Sequence, residues 1–227
     1  MQTEIFTDTF PLLSTASPQT IEWLLNIAIE HDYPSGRAVL MEDAWGNAVY
    51  FIVSGWVKVR HTNGEESVAI AILGNGDFFG EMAVLDESPR STDVISLSEV
   101  KLLSVSRERF IQILFKDPQL HHRMLQLMVR RVRQINLRLQ MRLSPSAVKL
   151  AHTLVSLSDS YGQESEQGKK IFNIPLKDLA EVTEITLEET TKIMEKLAEK
   201  EWIKIDTANN TLDLINYKQL VVLATKL

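Results

Sequence analysis

The chain has 227 residues, of which 44% are hydrophobic and 24% charged, with a formal net charge of −6 and no cysteine. This composition is typical of a soluble globular protein with room for two small domains, and it excludes disulfides, thiolate catalysis and Cys-ligated zinc or iron–sulfur sites. The start, MQTEIFTDTF, lacks the regions of a signal peptide, and the longest apolar runs are too short to span a membrane. We therefore expect a cytoplasmic protein without membrane contact, whose acidity does not favour bulk attraction to nucleic acid.

A short amphipathic helix is predicted over residues 17–31. Ser17 is a candidate N-cap and Pro18 occupies the first helical position. The apolar face consists of Ile21, Leu24, Leu25 and Ala28. Such a face predicts packing against a neighbouring core.

From about residue 39 to residue 105, short runs rich in Val, Ile and Phe are separated by glycines. The dipeptide Asn63-Gly64 between two such runs predicts a hairpin. In WVKVRH, the alternation predicts a half-buried strand with Val57 and Val59 inward and Lys58 and Arg60 outward. The whole segment indicates a compact antiparallel barrel or sandwich.

A long helix is predicted between Pro118 and Pro145, about 39 Å in length. Its apolar positions are spaced 3, 4, 3, 4, which is the a/d pattern of a coiled coil, and they are Leu125, Met128, Val132, Ile135 and Leu139. We expect this seam to form a homodimer, since four nearby arginines leave only a narrow apolar strip, namely Arg130, Arg131, Arg133 and Arg138. The alternative is that the stripe packs against the chain's own barrel.

The region after Pro145 predicts a second, smaller domain. A helix over residues 146–158 is followed by a polar loop over residues 160–170, a short helix, a turn, a longer amphipathic helix and a hairpin around Asn209-Asn210. This order is typical of a winged helix-turn-helix, whose second helix enters the DNA major groove. The predicted division is thus residues 1–117, a helix and hinge over 118–144, and 145–227.

The stretch GDFFGEMAVLDESPRSTDV, residues 76–94, is the main candidate for a binding site. A glycine lets backbone N–H groups approach an anion, an arginine fork matches phosphate oxygens, and a carboxylate accepts hydrogen bonds from a sugar hydroxyl. Gly80, Glu81 and Arg90 on one short connection therefore suit a ribose-phosphate. A structural ion pair is the alternative that these residues leave open.

The same stretch, with its FGE and correctly spaced PRS, resembles the phosphate-binding cassette of the Crp/Fnr family of bacterial transcription factors. YPSGRAVLMEDAWGNAVYFIVSGWVKVR resembles the opening of that family's β-roll, and LMVRRVRQINLRL resembles its dimer helix. The resemblance covers nearly the whole chain and implies an α+β fold. An antiparallel β-roll of the double-stranded β-helix type would be followed by a dimerisation helix and a winged helix-turn-helix.

The resemblance also implies a role for individual residues of the cassette. The Gly80 and Met82 backbones would approach the ligand, Glu81 would accept from the ribose 2′-hydroxyl, and Arg90 and Ser91 would hold the cyclic phosphate. Asn136 would contact the base from the dimer helix, next to Ile135. The expected effector is a cyclic nucleotide, cAMP in preference to cGMP, with no metal. Asp93 would oppose the phosphate if its carboxylate pointed toward it.

For the second domain, the resemblance implies double-stranded DNA with a palindromic operator, and RNA polymerase, as partners of a homodimer. Leu187 stands where the family usually has a guanine-reading arginine, whereas Glu188 is retained. The other candidate DNA contacts are Lys177, Thr186, Thr190, Thr191, Lys192 and Lys196. Residues 145–227 contain no arginine and hold 10 Lys against 13 Asp and Glu, a net charge of −3 that suits DNA phosphates poorly. The alternative function is a signalling adaptor whose winged helix contacts a protein.

No motif places a catalytic constellation, so we do not expect an enzyme. His121-His122 has no acidic or cysteine partner at metal-ligand spacing and is expected to be an exposed pair. A haem-based sensor of the same fold, with His31 or His61 on the iron, is not excluded by the sequence.

Overall fold

The computed structural model describes residues 2–63, 66–165 and 168–225. It divides the chain into two compact units, and the boundary falls between Ile135 and Asn136. This boundary lies inside the long helix, whereas the sequence predicted boundaries at either end of that helix. The long helix predicted between Pro118 and Pro145 is present as Pro118–Met141 and ends three residues before Ser144.

The first unit is a β-roll with helices before and after it. Its helices are α1 Gln2–Thr9, a 3₁₀ turn Leu13–Thr15, α2 Pro18–Ile27, α3 Glu81–Leu85, α4 Arg107–Lys116 and the start of α5 Pro118–Met141. Its strands are β1 Ile29–Tyr33, β2 Ala38–Leu40, β3 Ala48–Ser54, β4 Val57–Asn63, β5 Glu66–Leu73, β6 Phe78–Phe79, β7 Asp93–Ser96 and β8 Val100–Ser106.

The strands form two four-stranded antiparallel sheets, in the orders β1-β8-β3-β6 and β2-β7-β4-β5. The core of the roll contains Phe51, Phe78 and Phe110, each at most 2% exposed. β3 supplies it with Val49 and Phe51 from one face, while Ile52 on the other face belongs to a second buried cluster. The predicted antiparallel β architecture is confirmed.

β4 and β5 pair antiparallel as far as Asn63 and Glu66, as the predicted hairpin requires, although Gly64 of its turn lies outside the described residues. The prediction that Lys58 points to solvent is wrong, because this residue is only 7% exposed. β4 is an interior strand of its sheet, with Ile72 and Ile95 paired to Lys58 on either side. A long lysine stem can be covered by such neighbours.

The predicted N-terminal helix is present as α2, and the Ser17 hydroxyl accepts from the Thr20 N–H at 3.1 Å. The helix ends at Ile27, four residues earlier than predicted, because the chain continues as β1. The buried Asp117 carboxylate ties the helix to the roll, accepting from the Ser17 N–H at 2.9 Å and the Thr20 hydroxyl at 2.8 Å. Asp117 therefore has a structural role that the sequence did not reveal.

The same carboxylate caps the start of α5, since its other oxygen accepts from the N–H groups of Gln119 and Leu120, both at 3.1 Å. The first turns of α5 pack on the roll through Leu120 and Met124, which are 1% and 2% exposed. Of the predicted seam, Met128 is partly buried against this core, while four members are 53–56% exposed, namely Leu125, Val132, Ile135 and Leu139. The structure therefore does not support the alternative that all five seam residues pack against the chain's own roll.

The second unit consists of the end of α5, further helices and one antiparallel sheet. The helices are α6 Ser146–Tyr161, α7 Leu176–Thr183, α8 Leu187–Glu199 and α9 Tyr217–Ala224. The strands are β9 Gln163–Ser165, β10 Gly168–Phe172, β11 Lys204–Asp206 and β12 Thr211–Leu214, in the sheet order β11-β12-β10-β9. The hairpin around Asn209-Asn210 is confirmed as β11-β12.

The prediction of a polar loop over residues 160–170 is wrong, because this segment contains β9 and the start of β10. Gly168 explains part of the difference. It has φ +146°, and a Cβ there would lie 2.1 Å from the Leu214 carbonyl oxygen of the neighbouring strand. The polar composition of this segment did not indicate a strand, because the pairing of β10 depends on the close backbone approach at Gly168.

α7 and α8 form the predicted helix-turn-helix. α7 is followed by its C-cap residue Glu184, which adopts the left-handed conformation with φ +55°. α8 begins with a capping box, in which the Thr186 hydroxyl accepts from the Glu189 N–H and the Glu189 carboxylate accepts from the Thr186 N–H. Both ends of the turn are thus fixed by local chemistry. Within the described residues, no helix combines the length and apolar character that crossing a bilayer requires.

Candidate nucleotide site and DNA-reading face

The glycine of the predicted cassette lies where β6 passes into α3. Gly80 has φ +84°, a conformation that side chains with a Cβ rarely adopt. A Cβ at this position would lie 2.6 Å from Arg90 Nη1 and 3.1 Å from the Ala48 carbonyl oxygen. Glycine is therefore required both by the turn and by the arginine packed against it.

Arg90 is buried at 5% exposure and is held by the roll's backbone. Its Nη1 donates to the Gly80 carbonyl at 2.6 Å, and its Nη2 donates to the Ala48 carbonyl at 2.7 Å. Within the described residues the guanidinium has no salt bridge to a carboxylate. Burial lowers the pKa of Arg90, although the Tyr50 hydroxyl and Glu81 offset part of this effect. The site thus contains a fixed, buried cation with neutral partners.

A second glycine, which sequence reasoning missed, also makes room for this arginine. A Cβ on Gly46 would lie 2.6 Å from Ala83 Cβ and 3.0 Å from Arg90 Cζ. The segment before Gly46 is paired with the arginine's own backbone, since Asp43 N–H donates to the Arg90 carbonyl and Arg90 N–H donates to the Ala44 carbonyl. The spacing of Gly46 from the cassette in the sequence gave no sign of this contact.

Glu81, the first residue of α3, is buried and directed at an arginine of the long helix. Arg131 Nη1 donates to Glu81 Oε1 at 2.5 Å, and Arg131 Nη2 donates to Asp77 Oδ1 and to the Phe78 carbonyl, both at 2.6 Å. The guanidinium carbon lies 4.3 Å from the centre of the Phe78 ring. Burial opposes the charge of Arg131, but the charges of Glu81 and Asp77 raise its pKa overall.

The sequence treated Arg131 as one of four arginines on the polar side of α5, and this interpretation is wrong. Arg131 joins α5 to both sides of β6, whereas Arg130 and Arg133 are exposed. The only available signal was that one arginine of the four lies on the helical face of Met124 and Met128. The direction of one long side chain could not be read from that spacing.

The remaining predicted ligand residues differ in their surroundings. Met82 is 62% exposed and Ser91 is exposed, each next to a residue of the buried site. Asn136 is exposed and belongs to the second unit, so its predicted contact with the base stays a prediction. Asp93 is engaged by Arg60 at 3.1 Å and by the Glu42 N–H at 2.8 Å. Burial opposes ionisation of Asp93, but these hydrogen bonds and the Arg60 charge lower its pKa overall.

The start of α8 presents a leucine and a self-paired charge. Leu187 is 51% exposed, and Lys192 Nζ donates to Glu188 Oε1 at 2.5 Å, one turn away on the same helix. Both members of this pair are more than 60% exposed, so the pair contributes little to stability. It does mean that each charge is neutralised locally in the free protein. Lys177 and Lys196 are exposed.

One predicted DNA contact is contradicted. Thr190 has an exposure of 0%, and its hydroxyl donates to the Thr186 carbonyl at 2.9 Å, so it is unavailable to a phosphate. Thr191 is half-buried and donates in the same way to the Leu187 carbonyl. Because the two threonines are adjacent in the sequence, their pattern did not show which hydroxyl would be buried.

The net charge of the second unit differs from the net charge counted over residues 145–227. Because the second unit begins at Asn136, it includes Arg138 and Arg142 in addition to the 10 Lys counted from residue 145. Twelve basic residues against 13 acidic ones give −1 in place of −3. Arg138 donates to the Val182 carbonyl at 2.8 Å and Arg142 to Glu184 at 3.0 Å, so both are bound to the end of α7.

Residues 30–117 match the cyclic nucleotide-binding domain family, and this range contains Gly80, Glu81 and Arg90. In sequence, the chain is 27% identical over 198 residues to the cyclic AMP receptor protein of Thermus thermophilus, covering 86% of this chain and 88% of that relative. It is 26% identical over 179 residues to a CRP-like cAMP-activated global transcriptional regulator of Mycobacterium tuberculosis, covering 77% and 80%. Over most of its length the chain is thus similar in sequence to CRP/FNR transcriptional regulators.

The architecture agrees with that relationship. The structure of the Thermus thermophilus catabolite activator protein is matched with a TM-score of 0.53 at 25% identity, over 94% of this chain and 98% of that one. FixK2 of Bradyrhizobium japonicum shares the fold with a TM-score of 0.75 at 17% identity, over 88% and 99%. The two relatives matched over most of this chain are named a cyclic AMP receptor protein and a transcriptional regulator, which favours a DNA-binding regulator over the adaptor.

Proposed function

We propose that the chain is a homodimeric, ligand-responsive transcription regulator whose effector is a cyclic nucleotide, cAMP in preference to cGMP. The observation that carries this proposal is Arg90, a buried cation fixed by two carbonyl oxygens and without a salt bridge in the described residues. A buried charge without a counter-ion is costly, so an anion that reaches it is strongly favoured. A cyclic phosphate supplies that anion, and the names of the two curated relatives support cAMP.

The ribose would be recognised by Glu81. This carboxylate already receives a hydrogen bond from Arg131, which removes the objection that a buried acid beside a phosphate is uncompensated. A ribose hydroxyl would donate to the same carboxylate and share it with Arg131. Since Arg131 is part of α5, occupancy of the site would bias the position of that helix, provided that the ligand binds one helix arrangement better than another.

Dimerisation would use the exposed seam of α5. Leu125, Val132, Ile135 and Leu139 follow a/d spacing and expose more than half of their surface in the single copy. Pairing two copies about a two-fold axis would present two α8 helices to a palindromic operator. RNA polymerase is the further partner that this proposal implies for an activator.

Calorimetry with cAMP and with cGMP tests the ligand, and selection of DNA from a random-sequence library with the ligand present tests the operator. We expect saturable heat with cAMP at one site per chain and enrichment of a two-fold symmetric motif. Absence of heat with both nucleotides at millimolar concentration would contradict the effector. Nucleotide binding without any DNA enrichment would instead point to the adaptor function, for which the self-paired Glu188 and Lys192 are the favouring observation.

A further inference from the structure

A cavity of about 300 Å³ lies entirely within the second unit, on the flank of α8. Its apolar lining comes from three helices and one indole, namely Ala147 of α6, Ile193 and Leu197 of α8, Leu223 of α9, and Trp202. Leu197 is 4% exposed, so the floor of the cavity is continuous with the core of this unit. A volume of this size is at the lower end of that of small-molecule sites in proteins.

Two lysines, Lys196 and Lys200, complete the lining. Lys196 lies in the last turn of α8 and Lys200 is its C-cap residue, four positions later, so their like charges are neighbours and repel each other. Within the described residues, neither ammonium group forms a salt bridge or a side-chain hydrogen bond. Lys192, one turn earlier, is in contrast paired with Glu188. The edge of the cavity therefore carries two uncompensated cations above apolar walls.

Trp202 connects the two parts of this arrangement. The Lys200 ammonium lies 5.2 Å from the centre of the indole ring, a cation–π distance. This contact holds one cation at the entrance while the rest of the indole lines the cavity. A ligand with an anionic head and an apolar body would contact the lysines and the walls at the same time.

We propose that this cavity binds an amphipathic organic anion, an alkyl or aryl carboxylate, with its carboxylate between Lys196 and Lys200. The carboxylate relieves the repulsion between the two lysines, and the apolar body displaces water from Leu197 and Trp202. A DNA phosphate would use the two cations but leave the apolar walls unfilled. The site is separate from the one around Arg90 and does not depend on nucleotide binding.

Titration of the full-length protein with decanoate and with decanol tests the proposal, read by calorimetry and by tryptophan fluorescence. We expect decanoate to bind saturably at one site per chain. Lys196→Gln with Lys200→Gln should weaken decanoate roughly ten- to hundredfold, because two charge-assisted contacts are lost, and should leave decanol unchanged. Lys204→Gln with Lys218→Gln is the matched control and should change neither affinity.

Ala147→Phe should fill the cavity and remove binding of both probes, with circular dichroism and thermal unfolding reporting that the domain is still folded. Trp202→Phe assigns the fluorescence signal to the cavity. The proposal is overturned if decanoate gives no saturable heat at millimolar concentration, or if its affinity is unaffected by Ala147→Phe. It is also overturned if the double lysine variant binds decanoate as the wild type does, or if an acidic amphipathic peptide occupies the cavity and decanoate does not.

Discussion

In the first unit, Arg90 and Glu81 are 5% and 3% exposed, and they are held by the Ala48 carbonyl of the roll and by Arg131 of α5 respectively. In the second unit, Glu188 and Lys192 are more than 60% exposed and pair with each other on one helix. A buried arginine that donates to backbone carbonyls is held in one orientation, so it can serve only one role in a binding site. An exposed pair can exchange partners at little cost, so its contribution to recognition is decided only when DNA is present.

This difference explains why the two sites were not equally visible in the sequence. The cassette needs glycine at a left-handed turn and a single arginine, so residue types at fixed spacing identify it. The DNA-reading face needs only exposed residues on α8, and Thr190 and Thr191 look alike in the sequence although one is buried and the other half-buried. We expect changes at the buried cassette to have larger effects on ligand binding than changes on α8 have on DNA binding.

The proposed dimer pairs both units of two copies through the seam of α5, and Val132→Asp should disrupt this dimer most strongly. The aspartate would place two like charges face to face in an apolar seam, weakening the dimer by about 4 kcal/mol or roughly a thousandfold. Analytical ultracentrifugation should show a dimer for the wild type and a monomer for the variant. Arg133→Asp, at an exposed position next to the seam, is the control. A wild type that sediments as a monomer would exclude the seam.

Arg90→Ala tests whether the buried cation is the anchor of the nucleotide. We expect cAMP affinity to fall by about 2–4 kcal/mol, because a charge-assisted bidentate contact is lost. Arg90→Lys should recover only part of this, since a lysine cannot reproduce the fork that reaches the Gly80 and Ala48 carbonyls. Calorimetry measures both, with Arg109→Ala, an exposed arginine of α4, as the control. Unchanged affinity in Arg90→Ala would show that the phosphate is bound elsewhere.

Several features of the first unit could not be predicted, and the reason is common to them. Gly46, Asp117 and Arg131 all act across long sequence separations, on Arg90, on Ser17 and on Glu81 respectively. Local period and turn chemistry predict helices, strands and caps, because those depend on residues a few positions apart. They indicate the helical face of each arginine on α5, but not which of the four side chains bonds to the roll. Lys58 illustrates the same limit, since the curvature and neighbours of a strand decide its burial.

Leu187→Arg tests whether the low DNA affinity expected of the second unit is due to residue 187. The resemblance to the Crp/Fnr family implies an arginine at this position. An arginine at the exposed start of α8 can bind guanine in a bidentate manner, worth about 1–3 kcal/mol of discrimination. We expect higher affinity and a stronger guanine preference in the selected half-site, measured by library selection and by titration at fixed salt. Leu143→Arg, which adds the same charge at an exposed residue outside α8, should raise affinity for all sequences alike. A strongly fixed guanine already present with the wild type would show that the reading register is misplaced.

Asp117→Asn should give the smallest change, and this change should be in stability. It tests whether the charge of Asp117 stabilises the fold without contributing to nucleotide binding. Burial opposes ionisation of Asp117, but hydrogen bonds from the Ser17, Leu120 and Gln119 N–H groups and the Thr20 hydroxyl lower its pKa overall. Its contribution is therefore fully present above the unfolded-state pKa of about 3.9 and is lost as the pH falls through the lower folded value. Urea unfolding at pH 7 should show the variant less stable by about 1 kcal/mol. This difference in stability should vanish once the pH is below the folded-state pKa of Asp117. Nucleotide affinity at pH 7 should be unchanged, since the hydrogen bonds of the carboxylate in the described residues go to the N-cap and first turn of α2 and to the start of α5. A difference in stability that is constant from pH 7 to the acid limit would show that the charge of Asp117 is not what stabilises this junction.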